Sequence, residues 1–263
     1  MTFRTKKWTS LGAAAFGAVA LAACGDGDAT DPAPETPPVA TDIAELGEGG
    51  EGGEGGEGGE GGEGGLDHAS IPLPNRLAFM TGHVEAGLAL YRAGAPEMAA
   101  PHLLHPVSET HAAERAGIDA LGFDGALFEA VSSALEAGAA ASEVEPQLSA
   151  AEANLASVAE AAGGDPAEII TFLMETITEE YTIGVQDGKV TDPGEYQDAF
   201  GFAIVALDRA QALQGDAGEV VRSEIEALIS LWPEAPVPPE TPTPVSDVSA
   251  QVGIIILELS AFQ

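Results

Sequence analysis

Four of the five histidines in this 263-residue chain fall between Phe79 and Glu114: His83, His102, His105 and His111. The fifth, His68, lies just upstream, and none follows His111. Imidazole is largely unprotonated near neutral pH and available as a ligand, so a cluster of histidines raises transition-metal chemistry first. His102 and His105 stand three residues apart, a spacing that on a helix puts two rings on one side. Pro106 disfavours helical geometry at His105, so the pair is expected at a break. His111 and Glu114 repeat that spacing, Glu109 adds a carboxylate, and a turn at Gly94 can bring His83 toward Met98 and His102. The candidate ligands are therefore His83, His102, His105 and His111 with Glu109 and Glu114. Such a His/Glu set suits zinc, ferrous iron or nickel, whereas Met80 or Met98 joining it would favour copper. The competing reading has these histidines capping helices, pairing with glutamates or hydrogen-bonded in the core, in a scaffold or partner-binding protein with no metal.

Other chemistries have little to stand on. A single cysteine allows no intramolecular disulfide and excludes c-type haem attachment. The chain has no GxSxG and no Walker loop, and Ser108, His111 and Glu114 share a helix at spacings that cannot assemble a triad. No catalytic residue is expected, and the protein is not read as an enzyme. A formal net charge of −34 repels phosphate backbones and excludes nucleic acid as a partner.

The elements that position these residues begin after an N-terminal leader. Arg4, Lys6 and Lys7 precede a short apolar stretch from Leu11 to Ala23, which ends in Leu21-Ala22-Ala23-Cys24. This resembles a bacterial lipobox, which implies cleavage after residue 23, acylation of Cys24 and a membrane held as partner through that lipid. The destination is the cell envelope, facing the periplasm, with the outer membrane as the default. Residues 24–66 follow as a tether, Pro-rich and then an exact Gly-Gly-Glu repeat from Glu48 to Glu63. Glycine maximises chain entropy and evenly spaced glutamates repel one another, so this stretch is expected to be disordered, reaching about 35 Å r.m.s..

From Leu73 onward the apolar period is helical. Leu77, Met80, Val84, Leu88 and Tyr91 form one stripe, and Val144, Leu148, Ala151, Leu155, Val158 and Ala162 a cleaner one. Pro101 and Pro106 are expected to divide the histidine stretch into short pieces, before a helix that runs toward Gly122. Ser142-Glu145, Asp165-Glu168, Asp192-Glu195 and Asp216-Glu219 read as helix starts of the capping-box kind. Pro146 is less comfortable and points to a start nearer Glu145. No segment alternates with period two, so no sheet is expected. The fold class is all-α: a single bundle of about eight helices over 67–232, a Pro-rich connector over 233–244 and a last helix over 245–263 that packs back on the domain. The apolar run from Ile254 to Leu257 is too short to span a membrane.

The stretch YTIGVQDGKVTDPGEYQDAFGF, residues 181–202, resembles the periplasmic N-terminal region of bacterial iron permeases of the Ftr type. There a tyrosine-ended helix leads through a V-x-D-G-K-V turn into an E-Y-Q-D/E helix. That family's transport motif, R-E-x-x-E, lies in membrane helices that have no counterpart here, so none of its transport residues carries over. The resemblance implies an extracytoplasmic helical module of the kind found beside iron uptake. It makes iron the first expected ion, ahead of copper or zinc, and an iron permease or other envelope protein an expected partner.

Overall fold

The computed structural model describes residues 70–108 and 115–263. His68, Glu109, His111, Glu114, Cys24 and the expected leader and tether lie outside the described residues. Eight α-helices are found among those described: α1 (Leu73–Arg92), α2 (Pro96–Leu104), α3 (Gly125–Glu136), α4 (Ala141–Ala162), α5 (Pro166–Gly184), α6 (Pro193–Ala210), α7 (Gly215–Ile229) and α8 (Val245–Leu259).

Two apolar cores share α1. Leu77, Met80, Val84 and Leu88 of α1 pack with Leu103, Phe128, Val131, Val144, Leu148 and Leu155 of α2, α3 and α4. Ala78 and Phe79, on the other side of the same helix, join Leu173, Ile177, Tyr196, Phe202, Ile225 and Ile255 of α5 to α8. A helix between two cores is buried on two sides, so in its middle turns α1 keeps only the stripe of Thr81, Glu85 and Ala89 partly open to water, and the polar His83 is buried. Met80 is core packing of the α1–α4 side, and Met98 is half-buried against it.

Glycines set how closely the central helices approach. A Cβ on Gly201 of α6 would stand 2.1 Å from the carbonyl oxygen of Gly82 in α1, and one on Gly82 would stand 2.0 Å from a ring carbon of Phe202. The two backbones therefore touch where only hydrogen can fit. A Cβ on Gly87, one turn further along α1, would meet Leu103 of α2 at 2.8 Å.

Asp165 and Asp192 cap α5 and α6, each accepting from the backbone N–H two residues on, with Pro166 and Pro193 in the first helical position. The other two expected caps are not made. α4 begins at Ala141 and α7 at Gly215, which puts Ser142 and Asp216 inside the first turn. Pro146 consequently lies within α4, and Pro101 within α2, rather than marking starts or divisions. Each is six residues into its helix and forfeits one backbone bond there. The chain does break at Pro106, in a short 3-10 turn from His105 to Val107. Of the approach to Gly122, the described part is a turn at 115–118 and a second 3-10 turn, Asp119–Leu121, in place of the expected helix; residues 109–114 lie outside the described residues.

One sheet element was not expected. β1 (Val185–Gln186) and β2 (Lys189–Val190) pair antiparallel between α5 and α6, with Asp187 (φ 52°) and Gly188 (φ 72°) both left-handed at the turn. That is the backbone of a two-residue hairpin whose twist suits its strands. The connector is tied down: Tyr181 donates its hydroxyl to Thr243 O, and Trp232 donates its indole N–H to Tyr196 O. α8 buries Val248, Val252, Ile255 and Leu259 and leaves Ile254 and Leu257 exposed. By length and composition Val245–Phe262 is long and apolar enough to cross a membrane, although four residues of α8 serve the core.

Candidate metal centre

His83 sits one residue beyond the Gly82–Gly201 contact, and Asp198 one turn before it on α6. Close backbone approach at that point brings their side chains together: His83 Nδ1 lies 2.8 Å from Asp198 Oδ1. α2 folds back along α1 after the turn at Gly94, and the Gly87 contact sets His102 beside the same carboxylate, Nδ1 to Oδ1 2.9 Å. One potential ligand atom from each of His83, His102 and Asp198 lies within 4.8 Å of the others, and all three residues are buried.

Around this set the chemistry is polar in an otherwise apolar interior. His102 donates Nε2–H to Gln197 Oε1 at 2.9 Å, because a carbonyl oxygen can only accept. This leaves Nδ1 to face the carboxylate, either as a protonated N–H or as a lone pair on a cation. A ring that anchors its outer nitrogen on a carbonyl and turns the other inward is the usual posture of a metal-bound histidine. His105 stacks on His83, ring centroids 3.5 Å apart and 13° from parallel, while Phe79 and Phe202 meet His83 edge-on. Arg115 donates to the carbonyls of Pro106 and Ser108 and holds the backbone after His105.

Burial pushes the Asp198 carboxyl up, but the two imidazoles outweigh it and hold the group far below the usual carboxylate range. Burial pushes His102 down, and Asp198 more than restores it, so its pKa is raised. Glu180 of α5 and Glu195 of α6 are buried as well, at 2% and 3% exposure. Burial, then a hydrogen bond to Glu195 and the charges of Glu195 and Asp198, push Glu180 strongly up; His83 opposes them.

Of the expected ligands, His83 and His102 meet at Asp198, and His105 reaches the group through its stack on His83. Glu109, His111 and Glu114 lie outside the described residues. Reasoning from the sequence missed Asp198, Glu195, Glu180 and Gln197. The signal was present: Glu195 and Asp198 are spaced by three inside the stripe of Tyr196 and Phe200, and Glu180 adjoins Tyr181.

Residues 163–263 match the family model described as the iron permease-associated 4-helix bundle domain. The match spans α5 to α8 and contains the stretch 181–202 that carries the resemblance in the sequence. No curated protein and no solved structure matches the chain. The three buried carboxylates thus come from the matched region, and the imidazoles from the helices that precede it.

Proposed function

We propose that this is a lipid-anchored protein of the cell envelope that binds a transition metal ion, iron first, in support of metal uptake. The observation that carries this reading is the convergence of two buried Nδ1 atoms on one oxygen of Asp198, with Gln197 holding the far side of His102. Two imidazoles and a carboxylate with positions left over form the donor set that suits ferrous iron, with zinc as the main competitor. Metal–ligand bonds of about 2.0–2.2 Å separate neighbouring ligand atoms by roughly 3.0 Å at right angles and roughly 3.4 Å in a tetrahedron, so an ion entering here parts the present contacts by roughly 0.1–0.6 Å.

The match over 163–263 supports the link to iron and to a membrane-associated place in the envelope. The leader ending at Cys24 supports anchoring through a lipid on the periplasmic side. The reading is of a non-catalytic carrier or donor that works beside an iron permease or a comparable envelope protein.

The test is metal analysis of the full chain purified untagged from the envelope, with thermal melts of the chelated protein in Fe(II), Cu(II) and Zn(II). Near-stoichiometric metal is expected. Saturation at about a hundredfold over Kd adds about 2.7 kcal/mol and raises Tm by roughly 5–10 °C. His102→Ala and Asp198→Asn each abolish that rise. A metal-free protein with no rise in any ion overturns the reading in favour of a metal-free scaffold.

A further inference from the structure

α8 faces two ways. Val248, Val252, Ile255 and Leu259 enter the core, while the opposite side presents Ala250, Gly253, Ile254 and Leu257 to water. Ile254 is 43% exposed and Leu257 68%, and with Val220 of α7 they are the exposed large hydrophobic side chains among the described residues. The three lie at one end of the α7–α8 pair. Thr243, just before α8, donates its hydroxyl to Leu231 O, just after α7, so the two helices run antiparallel. Gln251 then donates its amide to Glu224 O and Oε2. One turn back from Glu224 is Val220, and one turn on from Gln251 are Ile254 and Ile255, at the same level of the pair.

The patch is also without charge. Among the other helices, α3, α4, α5 and α7 expose Glu129, Glu143, Glu175 and Glu226 on their outer sides. α8 has Asp247 and Glu258 alone, and both fall in helical register with Gln251, on the edge toward α7. In a chain of formal charge −34, an apolar face with neither acid nor base suits an occupant that brings neither. A second copy fits poorly on two counts. Two such chains repel one another. The face is about 22 Å long and about 10–12 Å wide, roughly 250 Å², against about 800 Å² per partner in a stable interface. A bilayer surface has no such minimum to meet, because the binding of a surface helix grows with each apolar side chain it buries.

Resting on the lipid-anchored reading above, we propose that the outer face of α8 docks on the bilayer. The helix lies in the plane of the surface, with Ile254 and Leu257 entering the boundary of the acyl chains and Val220 at the rim. It does not cross, because its other side belongs to the core. The surface it takes is uncharged phospholipid, since no lysine or arginine stands on α8 to draw anionic headgroups. A tether of about 35 Å r.m.s. lets the domain reach the membrane that holds Cys24.

The experiment uses the full lipidated chain carrying Leu257→Cys or, as control, Ala137→Cys, an exposed position at the end of α3. Cys24 is the one cysteine of the chain and its sulfur carries the lipid, so each new thiol alone takes a nitroxide label. The proteins are reconstituted on phosphatidylcholine vesicles, floated, and read by paramagnetic resonance with oxygen and a water-soluble nickel chelate as relaxants. At 257, access to oxygen is expected to exceed access to nickel severalfold, and at 137 the order reverses. Floated protein whose label at 257 meets nickel as freely as the label at 137 overturns the docking and leaves the anchor standing. Dipolar broadening between labels at 257 gives the face to a second copy and overturns the docking likewise. Protein that does not float overturns anchor and docking together.

Discussion

At the scale of single residues, charge inside the core is settled by which group holds a proton. The raised pKa of Glu180 means that the folded chain binds a proton there more tightly than the unfolded chain does. Stability from that group is complete below the unfolded value near 4.3 and is lost as pH rises toward the higher folded value. Glu180→Gln removes this dependence while keeping shape and a hydrogen bond to Glu195. In metal-free protein the variant is expected to melt roughly 2–8 °C above wild type at pH 7.5, and level with it near pH 4. Calorimetry at the two pH values checks this; equal melting at both contradicts it. Asp198 acts in the opposite sense. Its lowered pKa gives stability above the unfolded value of about 3.9 that is lost as acid protonates it. Histidines were legible in the sequence because the chain has only five, whereas the acids were lost among 43 Asp and Glu that mostly read as solvated surface.

At the scale of elements, the candidate metal centre depends on how closely α1 and α6 cross. Gly201→Ala puts a methyl group 2.1 Å from the Gly82 carbonyl oxygen, and that backbone cannot yield without moving His83. The expected cost is about 2–4 kcal/mol, a fall in Tm of roughly 4–16 °C, together with weaker metal binding. Gly253→Ala in α8 is the control: no atom lies within 4 Å of its Cβ, and helix propensity raises stability by about 0.5–1 kcal/mol. Differential scanning fluorimetry of both variants separates crowding at the crossing from any general effect of losing a glycine. Element boundaries were readable where chemistry fixes them, as at Asp165-Pro166 and Asp192-Pro193. They slipped at Ser142 and Asp216, where no proline pins the first turn and the helix extends past the expected cap. The apolar stripe of α1 showed only one of its two buried sides. Its other side carries Gly82 and His83, which a periodicity of hydrophobic residues does not score.

At the scale of the whole molecule, the candidate centre joins two parts of the chain. Residues 163–263 supply Glu180, Glu195 and Asp198, while every histidine precedes residue 163. The region that matches the iron permease-associated 4-helix bundle model thus carries three buried acids, and the helices before it carry the imidazoles. This division explains why residue types before 163 suggested metal and a short stretch after it suggested iron uptake, with no motif containing both. The most direct test of the account is a crystal of the Fe(II)-loaded full chain with diffraction collected across the iron absorption edge. An anomalous peak is expected within about 2.0–2.2 Å of His83 Nδ1, His102 Nδ1 and an Asp198 oxygen. A peak elsewhere in the folded helices, or iron-loaded protein with none at Asp198, would contradict it.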